Sequence, residues 1–196
     1  LDARLLRKAK KLGFSDAAIA VQSNTTKDKV RQQRWDGKIV PAFLQVDTCA
    51  GEFKSETPYF YSTYHSTQDS ANFPKPMIAL LGSGPNRIGQ GVEFDYSCVR
   101  SVRQFQKCGY KVAMINSNPE TVSTDYDTSD ALFFEPLAFE NVLEILRFIS
   151  PVGFVGQLGG QTPINLARSL VNAGQTLLGS SLDSIDMAED RGLFVK

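Results

Sequence analysis

Apolar residues recur through the first forty positions in short bursts at helical spacing. Leu5, Leu6, Ala9 and Leu12 share one face of a predicted helix that Asp2 can cap and Gly13 can end. Ser15 can cap a second short helix through Ile19. Thr25 or Thr26 can cap a third that runs to Trp35, with Gly37 after it. Regularity fades from residue 39 to 73. Within that stretch Thr57 to Tyr64 reads as extended and holds Tyr59, Phe60, Tyr61 and Tyr64. His65 to Pro76 is polar, contains Pro74 and Pro76, and reads as a linker.

From Met77 the pattern changes. Strands are predicted at Met77–Leu81, Val112–Asn116, Ala131–Phe134, Gly153–Gly156 and Thr176–Leu178. Helices fall between them. Val92, Tyr96, Val99, Val102 and Phe105 recur at three to four residues, as do Val142, Ile145, Leu146 and Ile149, and Ile164, Ala167, Leu170 and Val171. Thr162 before Pro163 predicts a helix start, a capping hydroxyl followed by a residue with no N–H to satisfy. The alternation defines the fold class as α/β: a Rossmann-like parallel sheet preceded by a small, mainly helical region, divided as 1–73 and 74–196. No internal repeat is visible.

Composition narrows the function classes. At 196 residues there is room for one full domain and a partial one, or two small ones. Hydrophobic residues at 42% and charged residues at 21% are globular values and exclude a disordered chain. Lys and Arg balance Asp and Glu at 21 each, so no overall charge draws the chain to nucleic acid or a membrane. That balance hides an asymmetry. Residues 1–38 hold ten Lys and Arg against four Asp, a charge of +6, and the remainder carries −6. No apolar run approaches the ~18 residues of a membrane span, and Leu1 to Lys11 lacks the apolar core of a secretory signal. Cys49, Cys98 and Cys108 include no C-x-x-C pair, which fits a reducing, cytoplasmic setting. With His65 the one histidine, no tetrahedral metal site is expected. The absence of an initiating Met, and a chain that stops after a helix-like Asp183 to Lys196, predict a piece of a longer protein.

The strongest chemical signal is LLGSGPNRIGQG at Leu80–Gly91, where a strand ends, a Gly-rich turn follows and a helix begins. Two readings stand, a nucleotide site and a tight packing turn. The spacing Gly82, Gly84, Gly89 is not G-x-G-x-x-G. No acid ends the second strand, where Ile115 is followed by Asn116 and Ser117, and no Lys-Ser or Lys-Thr follows the glycines. These departures argue against dinucleotide oxidoreductases and P-loop enzymes. Arg87 suits either a bound phosphate or carboxylate or a structural ion pair. Glu120, Asp125, Asp127 and Asp130 form an acidic cluster, but a calcium loop from Asp125 would have Asp130 where Gly is required and Pro136 where Glu is required. A solvated loop is the plainer reading. The basic first region reads as a DNA-binding helix-turn-helix or as a solvated face, and the aromatic run as a base-stacking platform or as packing. In the usual 3-2-1-4-5 strand order the first and fourth strands are neighbours. The turn after the first would then face Gly159–Thr162 after the fourth. The candidate site is that substrate-side crevice: Gly82, Gly84, Asn86, Arg87, Gly89, Gly159, Gly160, Gln161 and Thr162. Both turns precede helix starts, so the crevice is expected to bind anions weakly. No catalytic residue is assigned.

Longer runs say more than spacing. LGSGPNRIGQGVEFDYSCV, NSNPETVSTDYDTSDALFFEP, GQLGGQTPINLA and AEDRGLF, in that order, resemble the large subunit of carbamoyl phosphate synthetase. VDTCAGEF and TPYFYSTY are similar to the stretch just before that point in the same subunit. The resemblance covers nearly the whole chain and implies the following. Residues 1–73 are the end of a helical oligomerization domain with its linker. Residues 74–196 are the pre-ATP-grasp domain of the second, carbamate-phosphorylating half, as NPETVSTDYDTSD indicates. The parent is an ATP-dependent ligase making carbamoyl phosphate from bicarbonate, glutamine-derived ammonia and two ATP, for arginine or pyrimidine synthesis. Its cofactors are ATP with Mg or Mn, and K; this piece, which lacks the ATP-grasp domain, holds none and is inactive alone. The implied partners are a glutamine amidotransferase subunit, the rest of the large subunit and a second copy through residues 1–73, with no nucleic acid and no membrane. The competing reading is a free-standing Rossmann-like binding or assembly module.

Overall fold

The computed structural model describes residues 2–69, 73, 75–85, 92–190 and 192. The chain forms two compact units, Leu1–Gln45 with Tyr61–Asn72, and Val46–Phe60 with Phe73–Lys196.

Unit 1 is built from three short helices, α1 (Ala3–Lys11), α2 (Asp16–Gln22) and α3 (Lys27–Asp36), followed by strand β1 (Ala42–Gln45). Each helix begins at a side-chain cap: Asp2 accepts the Arg4 N–H, Ser15 the Ala18 N–H and Thr26 the Lys29 N–H. The core joins Leu6, Ile19, Ala20, Val30 and Ile39, with Ala9 and Tyr64 packed against it. Of the expected α1 face only Leu6 is buried, and Leu5 and Leu12 are exposed. A charged group lies inside this unit. Arg34, fully buried, pairs with Asp16 through Nε and Nη2, at 3.0 and 2.9 Å, and donates from Nη1 to the Ile39 carbonyl at 3.0 Å. Lys10 lies 3.3 Å from the same carboxylate and donates to the Phe14 carbonyl at 2.8 Å.

Unit 2 carries the parallel sheet. Strands β2 (Tyr59–Thr63), β3 (Met77–Leu81), β4 (Lys111–Asn116), β5 (Ala131–Phe134) and β6 (Gly153–Val155) follow the order β2-β5-β4-β3-β6. β2 straddles the division, and its Tyr59 and Phe60 pair with Leu132 and Phe133. All five residues of β3 are buried, as expected for a central parallel strand covered on both faces. Helices α4 (Glu93–Lys107), α5 (Phe139–Ile149), α6 (Gln161–Asn172) and α7 (Leu182–Glu189) complete the unit, with one 3-10 turn at Val122–Thr124. One core cluster joins Ile78, Leu80, Val112, Met114, Leu132 and Val155 to Cys98 and Val102 of α4. Helix α5 buries Val142, Leu143, Ile145, Leu146 and Ile149. α7 has no buried residue and is tied to α6 by side chains, Arg168 to Asp186 and Gln161 to Glu189.

Three expectations change. The predicted strand at Thr176–Leu178 is a single bridge between Leu177 and Phe154, though Phe154 still exchanges both backbone hydrogen bonds with Thr176 and Leu178 at 2.8 Å. α6 starts at Gln161, not after a Thr162 cap. Gly160 at φ +78 caps the helix two residues earlier, which leaves Pro163 inside the first turn, where its missing N–H is not needed. The buried face of α4 is Asp95, Cys98, Val99 and Val102, and the expected Val92 and Tyr96 are exposed.

Candidate functional site: two glycine turns above the sheet

The register Ile78↔Gly153, Ala79↔Phe154, Leu80↔Val155 brings the carboxyl ends of β3 and β6 side by side. The turns that follow meet. A β-carbon built on Gly159 would run into the carbonyl oxygen of Gly82, 2.6 Å from its carbonyl carbon and 2.8 Å from the Leu81 oxygen. Backbone on both sides leaves nothing to move aside, so only glycine fits at 159. One built on Gly84 would sit 4.0 Å from the Thr162 methyl and 3.4 Å from Leu137. The structure therefore gathers Gly82, Gly84, Gly159 and Thr162. Gly160 caps α6, and Gln161 reaches along the helix to Asn165 at 3.0 Å and Glu189 at 2.8 Å. Asn86, Arg87 and Gly89 lie outside the described residues.

Two amide donors of the first turn are spent internally. Gly82 N–H donates to the Ile115 carbonyl at 2.9 Å, and Gly84 N–H to Asn116 Oδ1 at 3.0 Å. A donor already bonded to protein adds nothing to a bound phosphate. Gly84 also sits at φ +74, a region that penalises side chains, above all β-branched ones. A Gly84→Val change would strain the turn itself and cannot separate a binding role from a structural one.

Behind the turn lies a polar group that spacing arguments missed. Asp95 on α4 accepts from Thr121 Oγ1 at 2.6 Å, Ser123 Oγ at 2.7 Å and Ser83 Oγ at 3.3 Å. Asn116, at the end of β4, donates to Ser123 Oγ at 3.1 Å and accepts the N–H groups of Gly84 and Ser117. Asp95, Asn116, Ser123 and Ser83 are all buried. The signal was in the helix pattern. Asp95 shares the core face with Val99 and Val102, and a carboxylate at such a position needs internal partners.

The acidic cluster is not drawn together as a metal site. Asp130 accepts from Lys111 Nζ at 2.8 Å, Gln106 Nε2 at 3.0 Å and the Val112 N–H at 2.9 Å. Burial pushes its carboxyl up, but the hydrogen bonds from Lys111, Gln106 and Val112 outweigh it and hold the group below the usual Asp range. Among the described residues no three His, Cys, Asp or Glu side chains are grouped to hold a metal. No described helix is long and apolar enough to cross a membrane.

Strands in the order 3-2-1-4, an α-helix after three of the four and a glycine turn at the carboxyl end of the first strand define a Rossmann-like α/β domain. Comparison with known proteins then gives the family. Residues 74–187 match the carbamoyl phosphate synthase preATP-grasp domain, and the chain belongs to that family. All 196 residues are 53% identical to the carbamoyl phosphate synthase large chain of Thermotoga neapolitana, and span 18% of that relative's length. Among solved structures, the biotin carboxylase domain of a thermophilic 2-oxoglutarate carboxylase, bound to ADP without magnesium, aligns over 60% of this chain and 26% of its own. The identity there is 17% and the TM-score 0.41.

Proposed function

We propose that the chain is a segment of a carbamoyl phosphate synthase large chain and serves as scaffold and substrate-side wall for a following ATP-grasp domain. The similarity over all 196 residues is the observation that carries this reading. Residues 1–73 are then the end of the helical oligomerization domain with its linker, and 74–196 the pre-ATP-grasp domain of the half that phosphorylates carbamate. The parent is a cytoplasmic ligase of arginine or pyrimidine synthesis. It consumes bicarbonate, glutamine-derived ammonia and two ATP with Mg or Mn, and K, and takes a glutamine amidotransferase partner. The meeting of Gly82 and Gly159 supports a wall in preference to a phosphate cradle, because the turns pack on each other and commit donors inward.

The test is a segment exchange. The Thermotoga neapolitana large chain carrying these 196 residues in place of its own segment should form carbamoyl phosphate. The 196-residue chain alone should neither form it nor hydrolyse ATP. A folded chimera without synthesis, or magnesium-dependent ATP hydrolysis by the isolated chain that survives repurification, would sink the reading.

A further inference from the structure

The polar group beneath the glycine turn has a shape that packing alone does not require. It joins three separate stretches of chain: the turn after β3 through Ser83 and Gly84, the first turn of α4 through Asp95, and the end of β4 with the stretch after it through Asn116, Thr121 and Ser123. Its links run in series. Asp95 orients the Ser123 hydroxyl by accepting its hydrogen bond at 2.7 Å, so the Ser123 oxygen is left to accept from Asn116 Nδ2 at 3.1 Å. That bond settles which end of the Asn116 amide points to the turn, and places its oxygen on the N–H groups of Gly84 and Ser117. Asn116 also fills the space beneath Gly82. A β-carbon there would lie 2.6 Å from the Asn116 side-chain carbon. The side chain therefore supports Gly82 by contact and Gly84 by hydrogen bond. Gly82 is the residue that meets Gly159.

We infer that Asn116 is a positioning residue for the wall formed by the two glycine turns, with Ser123 and Asp95 orienting it. The Rossmann fold commonly ends its second strand with an acid that faces a ribose. Here the residue at that place turns under the first loop instead and closes the space. Its role is to hold Gly82 against Gly159 and so to set the distance between the turns. The inference rests on the proposed function for its catalytic consequence, but not for its structural content.

Two measurements separate these. In the 196-residue chain, Asn116→Ala and Ser123→Ala should raise hydrogen exchange at the Gly84 amide by about tenfold or more, while amides of β4 and α5 keep their protection. In the active segment-exchange chimera, both variants should lower kcat for carbamoyl phosphate synthesis per folded molecule and leave KM for ATP within about twofold. Ser123→Ala leaves the Asn116 side chain in place and keeps the test open if Asn116→Ala does not fold. Equal loss of protection throughout unit 2, or an unchanged Gly84 amide, overturns the inference. So does a selectively loosened Gly84 in a chimera whose kcat is unchanged. An inactive unsubstituted chimera defeats the functional reading instead, and the exchange data on the isolated chain then decide the positioning role by themselves.

Discussion

Arg34 clasps the carboxylate of Asp16 inside unit 1, with Nε and Nη2 reaching separate oxygens across 18 positions of sequence. The guanidinium is fully buried, and it lies 6.0 Å from the ring centre of Tyr64. Removing the anion would take this carboxylate from two buried cations, Arg34 and Lys10. Asp16→Ala should therefore cost about 3–5 kcal/mol. The single Trp of the chain, Trp35, lies in α3, so its fluorescence during urea unfolding reports this unit. A shift below about 1 kcal/mol would mean that the pair behaves as a surface contact.

The close approach of the glycine turns predicts a graded pair of substitutions. Gly159→Ala drives a methyl group into the Gly82 backbone and should destabilise unit 2 by about 1–3 kcal/mol or more. Gly82→Ala meets a side chain, Asn116, where Gly159→Ala meets backbone, and should cost less overall while releasing the Gly84 N–H. Chemical denaturation followed by far-UV circular dichroism checks the ranking. Equal stability of Gly159→Ala and the unsubstituted chain would contradict the packing described.

Thiol chemistry separates the cysteines, which are all free. Burial, and then the nearby Asp95 carboxylate, push the Cys98 thiol up to about 12. Cys98 should stay unmodified by an aromatic disulfide reagent at pH 8 until the chain unfolds. The exposed Cys108 should react at once. Peptide mapping after a short exposure decides the matter. Early label on Cys98 would show that α4 opens readily.

Asp130 gives unit 2 an acid-sensitive contribution. Its folded pKa lies below its unfolded one, so the ionised group adds stability above the ordinary Asp value near ~3.9. That stability is lost as pH falls through the lower, folded value. Asp130→Ala should cost about 1–2 kcal/mol at pH 7, and the gap between variant and unsubstituted chain should narrow toward pH 3. Urea midpoints across that range provide the measurement. A constant gap would mean that the loss is one of packing.

The sequence made the sheet legible wherever apolar runs were bounded by turns. Met77–Leu81 and Ala131–Phe134 have the predicted limits, and Gly153–Val155 falls one residue short. Helix caps Asp2 and Ser15 were equally readable, and the third was narrowed to Thr25 or Thr26, because a short polar side chain before an apolar period has a local cause. What escaped depends on distant partners. β2 belongs to the sheet because Tyr59 and Phe60 meet β5, some seventy positions away, and no local pattern states that pairing. The crevice glycines were visible as glycines, yet the use of their N–H groups was not. That use depends on Asn116, first noted only as a missing acid. Asp95 was passed over because periodicity followed the apolar residues, and the helix presents a slightly rotated face to the core.

The placement of β2 affects how this chain can be divided. It is the neighbour of β5 within unit 2, and β5 is the strand ALFF, with Ala131, Leu132 and Phe133 buried. A shorter piece beginning near residue 74, where the family match starts, would lose β2 and bare the backbone of β5 along one side. A flat, apolar strand with unpaired N–H and C=O groups invites another chain to pair with it. Such a piece is expected to aggregate even with every residue of the matched domain present. One beginning at Val46 keeps β2 against β5 and should aggregate less.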